Sequence, residues 1–179
     1  GGAQEETGVT PDLATYAKAM AGGFPVAMFC GKSDIMGHLD GGATVHAGTL
    51  NANTVAMSAT AAALAELQRN DGEAYRRLYS TGRSLMAGLR EAAARTEVPM
   101  LVQGPGPLFN TSFTTEPEIT DYRSHIGAAD AGRFATFQRA MQDRGIRITT
   151  RGTWMVSTAH TDDNVDRAVS TAEEVLSSL

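Results

Sequence analysis

Cysteine and lysine are the scarce residues of this 179-residue chain. A single cysteine, Cys30, excludes an internal disulfide framework and fits a reducing compartment. Only two lysines, Lys18 and Lys32, stand against 13 arginines, so just two side chains can supply a primary amine. No apolar run approaches bilayer-spanning length and no signal peptide opens the chain, so a cytoplasmic protein without membrane contact is expected. A formal charge of −5 argues against nucleic-acid binding, which needs a positive face. The four histidines, His38, His46, His125 and His160, lack any metal-ligand spacing and have no partner cysteines, so no metal is expected. Internal repeats and low-complexity segments are absent as well.

What is present is ordinary for a soluble globular protein: 42% hydrophobic residues, 20% charged residues and 19 glycines. The opening "GGAQEETGVTPDL" has no initiator methionine and no hydrophobic element, and reads as a loop from inside a longer chain. "TPDLATYAKAM", residues 10 to 20, carries a helix-start signal in Thr10, Pro11 and Asp12, and Gly22 and Gly23 would end that helix. "FPVAMFCG" reads as a short buried strand holding Cys30 as a small core residue, and "SDIMGHL" as a short helix capped by Ser33. "DGGATVHAGTLNANTV" has no periodicity and should be an exposed loop.

Asn53 can cap a following helix, interrupted at "NDG" (70 to 72), after which Tyr75, Leu78, Leu85, Leu89 and Ala93 make one apolar stripe. Beyond Pro99, "MLVQGPGPLFNTSFTT" reads as two strands around a Gly-Pro turn. "ADAGRFATFQRAMQDRG" reads as a helix with Phe134, Phe137 and Met141 inward, ended by Gly145. "IRITT" and "WMVSTA" alternate like strands, and Thr161 caps a closing helix. The eight methionines read as core filling. Strand, strand, helix, strand, strand, helix suggests a compact α+β unit from about residue 97.

Lys18 has apolar neighbours on both sides and a Gly-Gly pair behind it. On residues alone it is either a surface charge or a desolvated, nucleophilic amine. Lys32, beside Ser33 and Asp34, reads as a solvated loop charge, and Arg151 as a solvated charge or an acid's partner.

The ordered stretches "GVTPDLATYAKAMAGGFPVAMFCGKSDIM", "HAGTLNANTVAMSATAAAL" and "VSTAHTDDNVD" resemble the class III aminotransferases. These are pyridoxal-phosphate enzymes of fold type I, and the likeness is greatest to their glutamate-1-semialdehyde aminomutase-like branch. The resemblance runs along the whole chain and covers less than half of a family member. It implies an α/β fold, with residues 1–70 the tail of a large α/β domain, 71–96 a linking helix, and 97–179 a small α+β domain. It implies that Lys18 forms the internal aldimine with pyridoxal 5'-phosphate. It also implies that Gly48 and Thr49 bind the cofactor phosphate of the neighbouring subunit, making a homodimer with shared active sites, and that Arg151 forks onto a substrate carboxylate. His46 and His160 would then shape their loops. The reaction implied is transfer of an amino group between a small-molecule amino donor, such as an amino acid, and a keto-acid acceptor. The aminomutase branch instead carries an acid where Gly152 falls, which favours transamination over isomerisation. The ring-pairing acid, the first phosphate loop and the ring-stacking aromatic would lie upstream, so this stretch alone should be inactive. An aminomutase-type isomerase and a non-catalytic dimerisation module or degenerate paralogue are the alternatives.

Overall fold

A computed structural model describes residues 2–179, which divide after Gly72 into two compact units. In the first, a short helix α1 (Ala3–Thr7) precedes strand β1 (Leu13–Ala17), a 3-10 helix (Lys18–Ala21) and strand β2 (Ala27–Gly31). Helix α2 (Ser33–Asp40) and the first part of α3 (Thr54–Arg95) complete it. The opening loop reading gives way at α1, whose last turn closes on Gly8, with the Gly8 N–H donating to the Gln4 carbonyl.

Residues 10 to 20 are not a helix. Leu13–Ala17 pairs antiparallel with Ala27–Gly31, from Leu13 opposite Gly31 to Ala17 opposite Ala27. The Thr-Pro-Asp cap signal is local, whereas this hairpin takes its partner ten residues on and pairs the N–H and C=O groups that face it. The expected end of the element holds: Gly22, at φ 60°, donates to the Ala19 carbonyl and stops the 3-10 turn. Strand β2 is where expected, but all five of its residues are exposed, Cys30 among them. A two-stranded sheet offers two faces, and the described residues cover neither fully. Ser33 is the first residue of α2 rather than its cap; Lys32 takes the cap position, with no side-chain capping bond. Asn53 does cap α3, its Oδ1 accepting from the Ala56 N–H at 3.1 Å.

Helix α3 is broken at Arg69–Gly72, where Asn70, Asp71 and Gly72 take left-handed conformations, as "NDG" predicts. Its 73–95 stretch belongs to the second unit. Set apart above as a linker, it places Leu85, Met86, Leu89, Ala92 and Ala93 in that unit's core. Strands β3 (Met100–Gln103), β4 (Leu108–Phe113) and β5 (Thr153–Met155) form an antiparallel sheet in the order β3-β4-β5. Helices α4 (Tyr122–Ala128), α5 (Ala131–Asp143) and α6 (Asp162–Leu176) accompany it.

Phe134, Phe137 and Met141 of α5 are buried against Phe113 and Trp154, and the Trp154 indole N–H reaches the buried Thr111 hydroxyl at 3.0 Å. Thr161 caps α6 through a reciprocal box with Asn164. The "IRITT" segment forms no strand; only its end joins β5, through the Thr149 N–H to the Thr153 carbonyl. The methionines divide: Met20, Met86 and Met141 are buried, while Met28, Met57 and Met155 are exposed.

Candidate active site

Lys18 stands where β1 ends and the 3-10 turn begins. Its φ of 58° is left-handed, a conformation that costs a residue with a Cβ on the order of 1–3 kcal/mol and concentrates at functional positions. Two residues on, Met20 and Ala21 are buried and anchor the turn, while Lys18 itself is exposed. A Cβ at Gly22 would come to 4.0 Å from Ala63, so the turn lies on the first stretch of α3. The two lysines differ in a way the sequence does not show. Lys32 pairs with Asp12, and its N–H also donates to the Asp12 carbonyl at 3.1 Å. Lys32 is solvent-exposed, as expected, and is ion-paired as well. Among the described residues, the Lys18 amine has no hydrogen bond or ion pair.

Gly48 and Thr49 lie in an exposed turn closed by the Asn51 N–H donating to the Gly48 carbonyl at 3.0 Å. The turn is braced from β2: the Phe29 and His46 rings meet edge-on with centroids 5.1 Å apart, and His46 Nε2 lies 3.4 Å from Asn51 Nδ2. A Cβ at Gly48 would fall 2.9 Å from Asn51 Oδ1, so a larger residue there would push the brace aside. Among the described residues, the backbone N–H groups of Gly48 and Thr49 donate to nothing. Exposed, unspent donors on a braced turn suit an anion. Lys18 and this turn share the first unit, and no hydrogen bond or ion pair joins them.

Arg151 belongs to the second unit, in the turn between Thr149 and Thr153. The turn is closed by the Gly152 N–H to the Thr149 carbonyl at 3.1 Å and the Thr153 N–H to the Thr149 hydroxyl at 2.9 Å. The Arg151 guanidinium is exposed and has no partner among the described residues, whereas its carbonyl accepts from Asn110 Nδ2 at 2.8 Å. His160 shapes the stretch after β5: its Nδ1 accepts from the Ser157 N–H at 2.9 Å, which leaves the proton on Nε2 in the neutral ring. No group of three or more His, Cys, Asp or Glu side chains placed to hold a metal occurs among the described residues. No helix among them is long and apolar enough to cross a membrane. Sequence reasoning missed Phe29, Asn51 and Asn110. Each acts through a contact that no local pattern announces, although Phe29 and Asn51 lie inside the stretches that carry the family resemblance.

A hairpin that ends on an unpaired, conformationally strained lysine, followed by a donor-rich turn and a small α+β unit, matches one family along nearly its whole length. The aminotransferase class-III model matches residues 2–176, and the chain belongs to that family. It is 38% identical over 182 residues to glutamate-1-semialdehyde 2,1-aminomutase of Desulfosudis oleivorans, covering 100% of this chain and 42% of that protein. It is 36% identical to the enzyme of that name from Thermomicrobium roseum, covering 41% of it. Among solved structures, an omega-transaminase from Sphaerobacter thermophilus superposes with a TM-score of 0.84 at 29% identity, over 97% of this chain and 40% of that one. The chain thus spans about two fifths of the length of the relatives it matches.

Proposed function

We propose that this chain is the C-terminal part of a pyridoxal-phosphate-dependent aminotransferase that moves an amino group from a carboxylate-bearing amine to a keto acid. The observation that carries the reading is the contrast between the two lysines: Lys32 is held by Asp12, and Lys18 is strained and free. Pyridoxal phosphate, the cofactor of this family, supplies when bound an aldehyde that condenses with amines and a ring that accepts the electron pair released at substrate Cα.

The chain's own residues divide the remaining work. Lys18 would hold the cofactor through its amine and would serve as the base that takes up and returns the proton at substrate Cα. Gly48 and Thr49 offer two backbone N–H groups and a hydroxyl to the phosphate held by a neighbouring subunit, so the working unit is a homodimer. Arg151 presents a planar fork of donors to the substrate carboxylate.

In the full-length protein, Lys18→Ala should abolish the yellow absorbance of the bound cofactor and the label fixed by borohydride, which peptide mapping should otherwise locate at Lys18. Persistence of the colour and of the label would rule this residue out.

A second reading, isomerisation within one carbon skeleton, is favoured by the 38% identity to an aminomutase. Against it stands Gly152. A transaminase requires a separate keto acid to complete its cycle, and a mutase does not, so dependence of turnover on added keto acid separates the two.

A further inference from the structure

We infer that Asn110 is a positioning residue that holds Arg151 ready for a substrate carboxylate, an inference that rests on the proposed role of Arg151. Asn110 lies on β4 at the position paired with Thr153 on one side and Gln103 on the other. Its amide is used at both ends. Ser112 Oγ donates to Asn110 Oδ1 at 3.1 Å, and the Arg151 carbonyl, which can only accept, fixes which end of the amide is the nitrogen. Asn110 Nδ2 then donates to the Arg151 carbonyl at 2.8 Å. This bond comes from a neighbouring strand 41 residues away and grips the residue whose guanidinium is unpartnered.

The neighbouring backbone is fastened on the same strand. The Thr111 N–H donates to the Gly152 carbonyl at 3.0 Å, so two successive carbonyls of the turn are bound by two successive residues of β4. A Cβ at Gly152 would lie 2.3 Å from the Thr111 oxygen and 3.0 Å from Asn110 Oδ1, so only the bare glycine lets the turn come this close. An arginine side chain has several rotatable bonds, and a carboxylate gains most from it when the backbone beneath is already immobile. Ser112, Asn110 and the turn together supply that immobility, and the bonds are made before any ligand arrives.

The test is calorimetric binding of glutarate to the full-length holoenzyme, with the neutral glutaramide as control and the melting temperature recorded for every variant. Arg151→Ala should weaken glutarate about tenfold and leave glutaramide unchanged. Asn110→Ala should weaken glutarate about five- to tenfold with a small change in melting temperature, and should add nothing in the Arg151→Ala background. Asn110→Leu, which keeps the approximate shape without adding charge and loses the Nδ2 donor, provides a second route and should show the same dependence on Arg151. Wild-type affinity in both Asn110 variants, with glutarate still lost in Arg151→Ala, would overturn the positioning role and leave Arg151 as the carboxylate holder. Equal losses with and without Arg151 would overturn it in favour of a general structural role. No effect of Arg151→Ala, or no glutarate binding by the wild type, would remove the proposed role of Arg151 and this inference with it.

Discussion

At Gly152 the backbone turns with φ 83°, and the place a Cβ would occupy lies 2.3 Å from the carbonyl oxygen of Thr111. Both facts oppose a side chain, and the obstructing atom is strand backbone rather than the end of a flexible group. Gly152→Asp, which would restore the acid of the aminomutase branch, must open the turn or push β4 aside. It should destabilise the protein by on the order of 3 kcal/mol. Gly127 is the control. It is exposed on α4, a Cβ there would meet nothing within 4 Å, and Gly127→Ala should be neutral or stabilising by up to about 1 kcal/mol. Denaturant unfolding of the two variants checks the pair; a Gly152→Asp protein as stable as wild type would show that the turn has room the geometry denies. Lys18 poses the opposite case, a residue with a Cβ kept at φ 58° where glycine would fit more easily. A neighbouring run of alanine, methionine and glycine could not announce that strain, because strain belongs to the folded backbone.

Between residue and fold, the elements legible in sequence were those whose signals are local. The Thr161 cap of α6, the Asn53 cap of α3 and the "NDG" break each lie within a few residues of what they control, and all three are found in place. The misread elements depend on distant partners. Residues 13–17 are a strand because 27–31 pair with them, and "IRITT" fails as a strand because the β4 edge not taken by β3 pairs with Thr153–Met155 instead. Helix α4 escaped notice for a different reason: it is seven residues long and buries none of them, so it has no apolar stripe, and its Asp121–Ser124 capping box is its only strong mark.

A tie between elements also titrates. Arg95, at the end of α3, grips Glu173 of α6 through two hydrogen bonds of 2.8 and 2.7 Å, and these hold the Glu173 carboxyl below its ordinary range. A depressed carboxylate contributes stability above its unfolded-state value, about pH 4.3, and loses it as pH falls through the lower folded-state value. Carbon-detected NMR titration of Glu173 should therefore give a midpoint below the free-glutamate value. Arg95→Ala should return it to that value and flatten the part of the acid stability profile that this pair supplies. An unshifted Glu173 in the wild type would mean that the two side chains do not hold together in solution, as happens with many exposed pairs.

Across the whole chain the two units differ in how they bury apolar surface. The second has a continuous core from Leu85 to Leu176, with Leu89, Phe137, Met141 and Val175 fully enclosed. Among the described residues of the first, only Met20, Ala21 and Ala56 are buried hydrophobics, and Leu13, Phe24, Met28, Val45, Leu50 and Val55 are exposed. A two-stranded hairpin is marginal alone in water, and this many exposed large apolar side chains beside so few buried ones mark surface made for contact. Relatives more than twice as long offer the material to cover it.

The consequence is testable on the 179-residue chain expressed alone. It should bind an apolar dye and scatter light increasingly with concentration, while the full-length protein does neither. Leu13→Lys combined with Val55→Lys, at sites 50% and 64% exposed, should reduce dye binding and scattering in the chain alone. In the full-length protein the same pair should be destabilising, because charges tolerated in water would there be buried without partners. A chain that stays monomeric and dark to the dye at high concentration would mean that the first unit closes on itself in a way its exposed strands do not allow. Equal tolerance of the two lysines in both contexts would mean that nothing covers this face in the longer protein either.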